Sequence, residues 1–157
     1  MLKTWSHPAV IGLSVLLGIA GCADDPLAGR QALDLEQALH GHWSSTRNLE
    51  LPNNAAAWDI TDATEKWHAE IDRYIDAQTE SKGWSEMAGD RTWRTRSQDA
   101  AAGVIELETW PVGRPGKSTA VELWLDYDRK TMLEKLPSKK SRVTLREWNY
   151  VNADAQP

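Results

Sequence analysis

Hydrophobic and polar positions alternate, or nearly so, through three stretches: VIELETW from Val104 to Trp110, AVELWLD from Ala120 to Asp126, and RVTLREWNYV from Arg142 to Val151. A period of two is that of a β-strand with its two faces in different surroundings, and the third stretch is also rich in β-branched and aromatic residues. Turn-forming clusters punctuate them: SQDAAAG before Val104, PVGRPGKS before Thr119, DYDRK after Leu125 and PSKKS after Leu136. Strands at this spacing, joined by short turns, predict an antiparallel meander. Upstream, Leu33, Leu35, Ala38 and Leu39 predict a short helix stopped by Gly41.

The segment EKWHAEIDRYIDAQ, Glu65 to Gln78, fits two periods. Trp67, Ile71, Tyr74, Ile75 and Gln78 form a helical stripe, and Asp62 with Glu65 has the spacing of a capping box. Trp67, Ala69, Ile71, Ile75 and Ala77 form a strand face, broken by Arg73 and by Tyr74 on the other face. The neighbouring strands favour the strand.

The first residues change the picture of location. Ala9 to Ala20 is apolar apart from Ser14 and follows Lys3. Twelve helical residues reach roughly 18 Å, short of a ~30 Å hydrocarbon core, so the run reads as a secretory signal. Ile19-Ala20-Gly21-Cys22 resembles the lipobox of bacterial lipoproteins. The resemblance implies cleavage before Cys22, diacylglycerol on its thiol and a third acyl chain, such as palmitate, on the freed amine. Three chains anchor far more firmly than one, because each buried CH₂ adds ~0.8 kcal/mol. Ala23 follows the cysteine, which by the same resemblance implies the outer membrane, facing the periplasm. Residues 1–21 are then the signal, 22–32 a lipidated tether, 33–152 one domain and 153–157 a tail. Cys22 is the only cysteine. A chain whose thiol carries lipid has no disulfide and rests on its core alone.

The opening ALHGHWSS, the stretch GDRTWRTRSQDAAAGVIELETWPVG, LWLDYDRKTM and the closing WNYV together resemble small bacterial lipocalin-like domains over roughly Leu39 to Val151. The resemblance places Gly41 and Trp43 in the family's opening motif and implies that Trp43 closes one barrel end. It implies a mainly β fold: a small antiparallel meander, or a short or partly open lipocalin-like barrel, with a short N-terminal helix.

Composition adds an unusual aromatic inventory of nine Trp, three Tyr and no Phe. Trp5 lies in the signal; most of the others are expected in the core, where each indole N–H needs a partner. Trp43, Trp67, Trp93, Trp124 and Tyr150 are the candidate ligand-binding residues of the cavity or rim. Trp124 falls on the strand face opposite Val121, Leu123 and Leu125. Trp148 shares a face with Thr144, Arg146 and Tyr150, opposite Val143, Leu145 and Val151. An indole on a polar face is read as an edge cover or a contact residue.

Beyond residue 21 the chain carries 17 Lys and Arg against 23 Asp and Glu. The imbalance is confined to the first half: residues 22–90 sum to −9 and residues 91–157 to +3. Arg94, Arg96, Lys139, Lys140 and Arg142, with Trp148, are candidate partner-binding residues for lipid phosphates, cell-wall carboxylates or an acidic envelope protein; the plainer reading is a solvated hairpin tip. The acidic balance argues against nucleic acid. His40 and His42 share a face but lack an evident third ligand, Asp126 and Asp128 suit a turn, and no G-x-S-x-G occurs. No metal, cofactor or enzymatic activity is expected. The expectation is a membrane-anchored, non-enzymatic lipoprotein that binds an apolar or amphipathic ligand in a small barrel. The alternative is an interaction module with a filled core and an exposed Trp and basic surface.

Overall fold

The computed structural model describes residues 34–52, 60–138 and 142–157. The signal, the lipobox with Cys22, the tether, and the basic pair Lys139 and Lys140 lie outside the described residues. A five-residue helix, α1 (Leu35–Leu39), precedes eight strands: β1 (Gly41–Leu51), β2 (Thr64–Asp76), β3 (Gly83–Glu86), β4 (Arg91–Asp99), β5 (Val104–Pro111), β6 (Thr119–Asp126), β7 (Thr131–Leu136) and β8 (Val143–Asn152). Each strand pairs with the next in sequence, and β1 pairs antiparallel with β8 to close the barrel. The expected small antiparallel barrel with a short N-terminal helix is what the chain forms, and the ring is closed, not partly open. Closure leaves β1 and β8 with no free edge. The ambiguous segment is strand β2. Its helical stripe loses because both Ile71 and Ile75 pair across to β1, opposite Ser45 and Gly41.

The interior is densely filled. Trp43, Trp84, Trp93, Trp148, Ile75, Ile105, Leu107, Leu123, Leu125 and Met132 form one buried cluster, joined by Leu35 and Leu39 of α1. The helix therefore plugs the end at which β1 begins. Asp34 caps it by accepting from the Glu36 N–H at 3.0 Å. Its Glu36 side chain is tied to Thr95 of β4 and to Lys82. The Trp43 indole N–H donates to the Leu39 carbonyl at 2.8 Å, which binds the last turn of the plug to the first strand. At this end Gly41 adopts φ +132°, and a Cβ there would stand 2.5 Å from the Asn152 carbonyl oxygen and 2.8 Å from Tyr150 Cε2.

A second apolar cluster is separate from the first: Leu49, Leu51, Trp124 and Leu145, with Ile60, Ala63, Val104, Leu133 and Val143 against them. It lies on the outer face. In the β5–β6–β7 ladder Leu123 is opposite Ile105 in the interior, whereas Trp124 faces Val104 and Leu133 outside. The register shift in β1 between Ser45 and Arg47 moves Leu49 and Leu51 from the inner to the outer face.

The faces of β8 correct one expectation. The polar face of that strand, with Arg146, Trp148 and Tyr150, is the one turned inward, and the apolar Val143 and Leu145 face out onto the second cluster. Trp148 is fully buried, so it has no surface to offer a partner. Gly41→Ala is expected to destabilise the fold by about 2–4 kcal/mol, read as a lower urea midpoint, because both the positive φ and the close backbone leave no room for a side chain.

Candidate functional site

Two places gather polar chemistry: the barrel interior and its helix-plugged end. The interior site is built on Arg73 of β2, which is 3% exposed. Its guanidinium lies between two indoles, 4.2 Å from the Trp84 ring centroid and 4.3 Å from that of Trp148. Glu86 accepts from its Nε at 2.9 Å, and Glu134 accepts from the other two nitrogens at 3.1 and 3.3 Å. The Trp148 Nε1–H also donates to Glu134, at 2.9 Å. The planar fork of arginine suits this double use: its edge meets carboxylates while its faces meet aromatic rings. Trp84 Nε1 is buried with no hydrogen-bond partner. The set is a polar core within the barrel interior.

At the plugged end an open cleft of about 580 Å³ lies between α1 and the turn after β6. Ala38, Trp43, Leu125, Tyr127 and Tyr150 form its apolar wall. Trp43 and Tyr150 meet edge to face, with ring centroids 5.3 Å apart. Asp34, His40, Asp126 and Lys130 stand around it. Both carboxylates are committed locally: Asp34 caps the helix, and Asp126 accepts the N–H groups of Asp128 and Arg129, each at 3.1 Å. His40 Nδ1 accepts from the Ala77 N–H at 3.2 Å and stands 3.7 Å from Asp76. Burial pushes the Asp76 carboxyl up, but the Gln78 N–H, Thr79 and His40 outweigh it and hold it below the usual carboxylate range. Lys130, with φ 53°, holds its ammonium 5.9 Å from the Tyr150 ring and has no carboxylate partner among the described residues. Lys130 is therefore the charged side chain at the cleft that has no carboxylate or hydrogen-bond partner among the described residues.

The candidate ligand residues divide accordingly. Trp43 and Tyr150 come together at the cleft. Trp93 is sealed in the core with its N–H on the Gly83 carbonyl at 3.3 Å. Trp124 is 8% exposed, covered on the outer face by the second cluster. Trp67 stands alone on the outside, 70% exposed, with Arg47 over its ring.

The candidate partner residues are also scattered. Arg94 pairs with Glu108 and Arg96 with Glu106 across β4 and β5. Hydrogen bonds from the Ser118 hydroxyl and from Arg94 hold Glu108 below the usual carboxylate range. These cations are largely neutralised by their own sheet. Arg142 lies at the far end, 3.8 Å from Glu50. Lysine 130, Tyr127 and Leu125 were not singled out from the sequence. Their stretch reads as a turn, and nothing local shows that α1 packs beside it.

Among the described residues no three His, Cys, Asp or Glu side chains are grouped to hold a metal ion. Comparison of the chain with protein-family models, with curated proteins and with solved structures found no match. Arg73→Met should cost about 3–5 kcal/mol in chemical denaturation, since it leaves two buried carboxylates without their cation; adding Glu134→Gln should recover part of that loss.

Proposed function

We propose that the chain is a lipid-anchored, non-enzymatic envelope protein that binds an amphipathic ligand at the plugged mouth of its barrel. The observation that carries the binding reading is the cleft beside α1: an apolar wall with an unpaired ammonium at its edge, next to an interior already filled by side chains. A ligand with an apolar body and an acidic head matches that distribution, the body against Trp43, Leu125 and Tyr150 and the head near Lys130. Anchoring rests on the lipobox resemblance at Cys22 and places the protein at the outer membrane, facing the periplasm. The cleft is compatible with that anchor, because Asp34, at its rim, lies only twelve residues after Cys22 in the sequence.

The alternative reading, an interaction module, draws support from the filled core. Its surface is the far end, where Arg114, Lys117 and Arg142 lie on the turns between β5 and β6 and between β7 and β8. Those turns suit an acidic partner.

Titration with single-chain anionic and neutral amphiphiles, followed by Trp fluorescence, tests the first reading. Tyr150→Ala should weaken binding of both at least tenfold, and Lys130→Glu that of the anionic ones alone. No fluorescence change across such a panel overturns it. Cys22→Ala should move the protein from the membrane fraction to the soluble one, and tight membrane association of a processed mutant overturns the anchor.

A further inference from the structure

At the end of the barrel away from α1 stand the turns that join β3 to β4 and β5 to β6. They are neighbours: the Val112 N–H donates to the Asp90 carbonyl at 3.2 Å. Each is also tied within itself. The Gly89 N–H donates to the Glu86 carbonyl at 2.8 Å, the Arg114 N–H to that of Pro111 at 2.9 Å and the Lys117 N–H to that of Arg114 at 3.1 Å. The side chains on these turns are therefore presented from a fixed backbone, and little ordering of the chain is left to oppose binding.

Two of the four large hydrophobic side chains exposed among the described residues are here: Met87, 91% exposed, and Val112, 63% exposed. Neither belongs to an apolar cluster. Arg114 and Lys117, on the same turn as Val112, are exposed, and their side chains have no carboxylate or hydrogen-bond partner among the described residues. That sets them apart from Arg94 and Arg96, which Glu108 and Glu106 neutralise. The two turns carry one carboxylate, Asp90. The carboxylates on the strands beside them are committed, Glu86 to Arg73 and Glu108 to Arg94 and Ser118.

Exposed apolar side chains beside unpartnered cations match an anionic lipid surface: the apolar groups pass below the headgroups, and the cations meet the phosphates. An acidic protein offers the same charge, but a stable protein interface needs roughly 800 Å² of fitted surface on each side, and two turn tips are narrow. A bilayer yields around a tip and needs no such fit. From the joined turns, the exposed Met87 and Val112 and the unpartnered Arg114 and Lys117, we infer that this end of the barrel inserts its β3–β4 and β5–β6 turns into an anionic lipid surface. The contact is separate from the cleft, which lies at the other end. Asp34 follows Cys22 by twelve residues, a reach of at most roughly 40 Å, about the contour of the 13-residue β2, so a lipid on Cys22 and the two turns can enter one bilayer.

The test uses the full chain with Cys22→Ala, to remove the native thiol, and Ala88→Cys, on the β3–β4 turn, to carry an environment-sensitive fluorophore. Phosphatidylcholine vesicles that contain phosphatidylglycerol should shift its emission to the blue, and vesicles of phosphatidylcholine alone should give at least fivefold less shift. The same fluorophore at Ala101→Cys, on the exposed β4–β5 turn at the other end, should not shift. The two positions separate insertion of the turns from any membrane affinity of the apolar N-terminal run. Arg114→Glu with Lys117→Glu, and separately Val112→Asp, should each cut the shift at position 88 at least fivefold at fixed lipid. No shift at position 88, an equal shift at positions 88 and 101, or a shift that the double charge reversal leaves intact overturns the inference. So does an equal shift with soluble polyglutamate, which would make the partner an acidic polymer.

Discussion

The Arg73 guanidinium is the constraint on which the barrel interior is organised. Its side chain starts on β2 and touches Trp84 and Glu86 on β3, Glu134 on β7 and Trp148 on β8. One buried cation thereby joins four strands across the barrel. Burying an arginine is expensive unless its donors and faces are all used, and here two carboxylates and two indoles use them. The same requirement explains the inward polar face of β8. Glu134 needs a second donor, and the Trp148 indole supplies it.

With the middle of the barrel occupied in this way, the open cleft lies at one end. The helix closes one end through Leu35 and Leu39, but it covers only part of the mouth. The remainder is the cleft against Tyr127, Lys130 and Tyr150. On the other side of the wall, the register shift in β1 produces the outer cluster around Trp124 and Leu145. An eight-stranded barrel of this length thus has two apolar layers, one inside and one out. The second explains how strands so rich in hydrophobic residues can close around a polar centre.

Much of the fold was legible because strand periodicity is local. The alternations at 104–110, 120–126 and 142–151 became β5, β6 and β8 nearly residue for residue. Arg73 was visible as the interruption in the alternation of β2, and that interruption marks the polar centre of the barrel. The meeting of Trp43 and Tyr150 at one site was not legible, since more than a hundred residues separate them and only closure of β1 on β8 brings them together. Lys130 and Tyr127 carried no signal, because a turn sequence looks the same whether it faces water or a helix.

The sequence by itself determined the strands β5, β6 and β8, an antiparallel meander, the helix before it and the placing of a single cysteine behind a short apolar run. Alternation assigns residues to two faces of a strand but does not say which face is inside. For β8 the hydrophobic face was the natural choice, and the tertiary structure decided otherwise. Inward or outward is settled by the whole ring: by the bulge that reverses β1, by the buried cation that needs polar partners, and by the second layer that covers Val143 and Leu145. Those are properties of strands meeting across the barrel, and no window along the chain contains them.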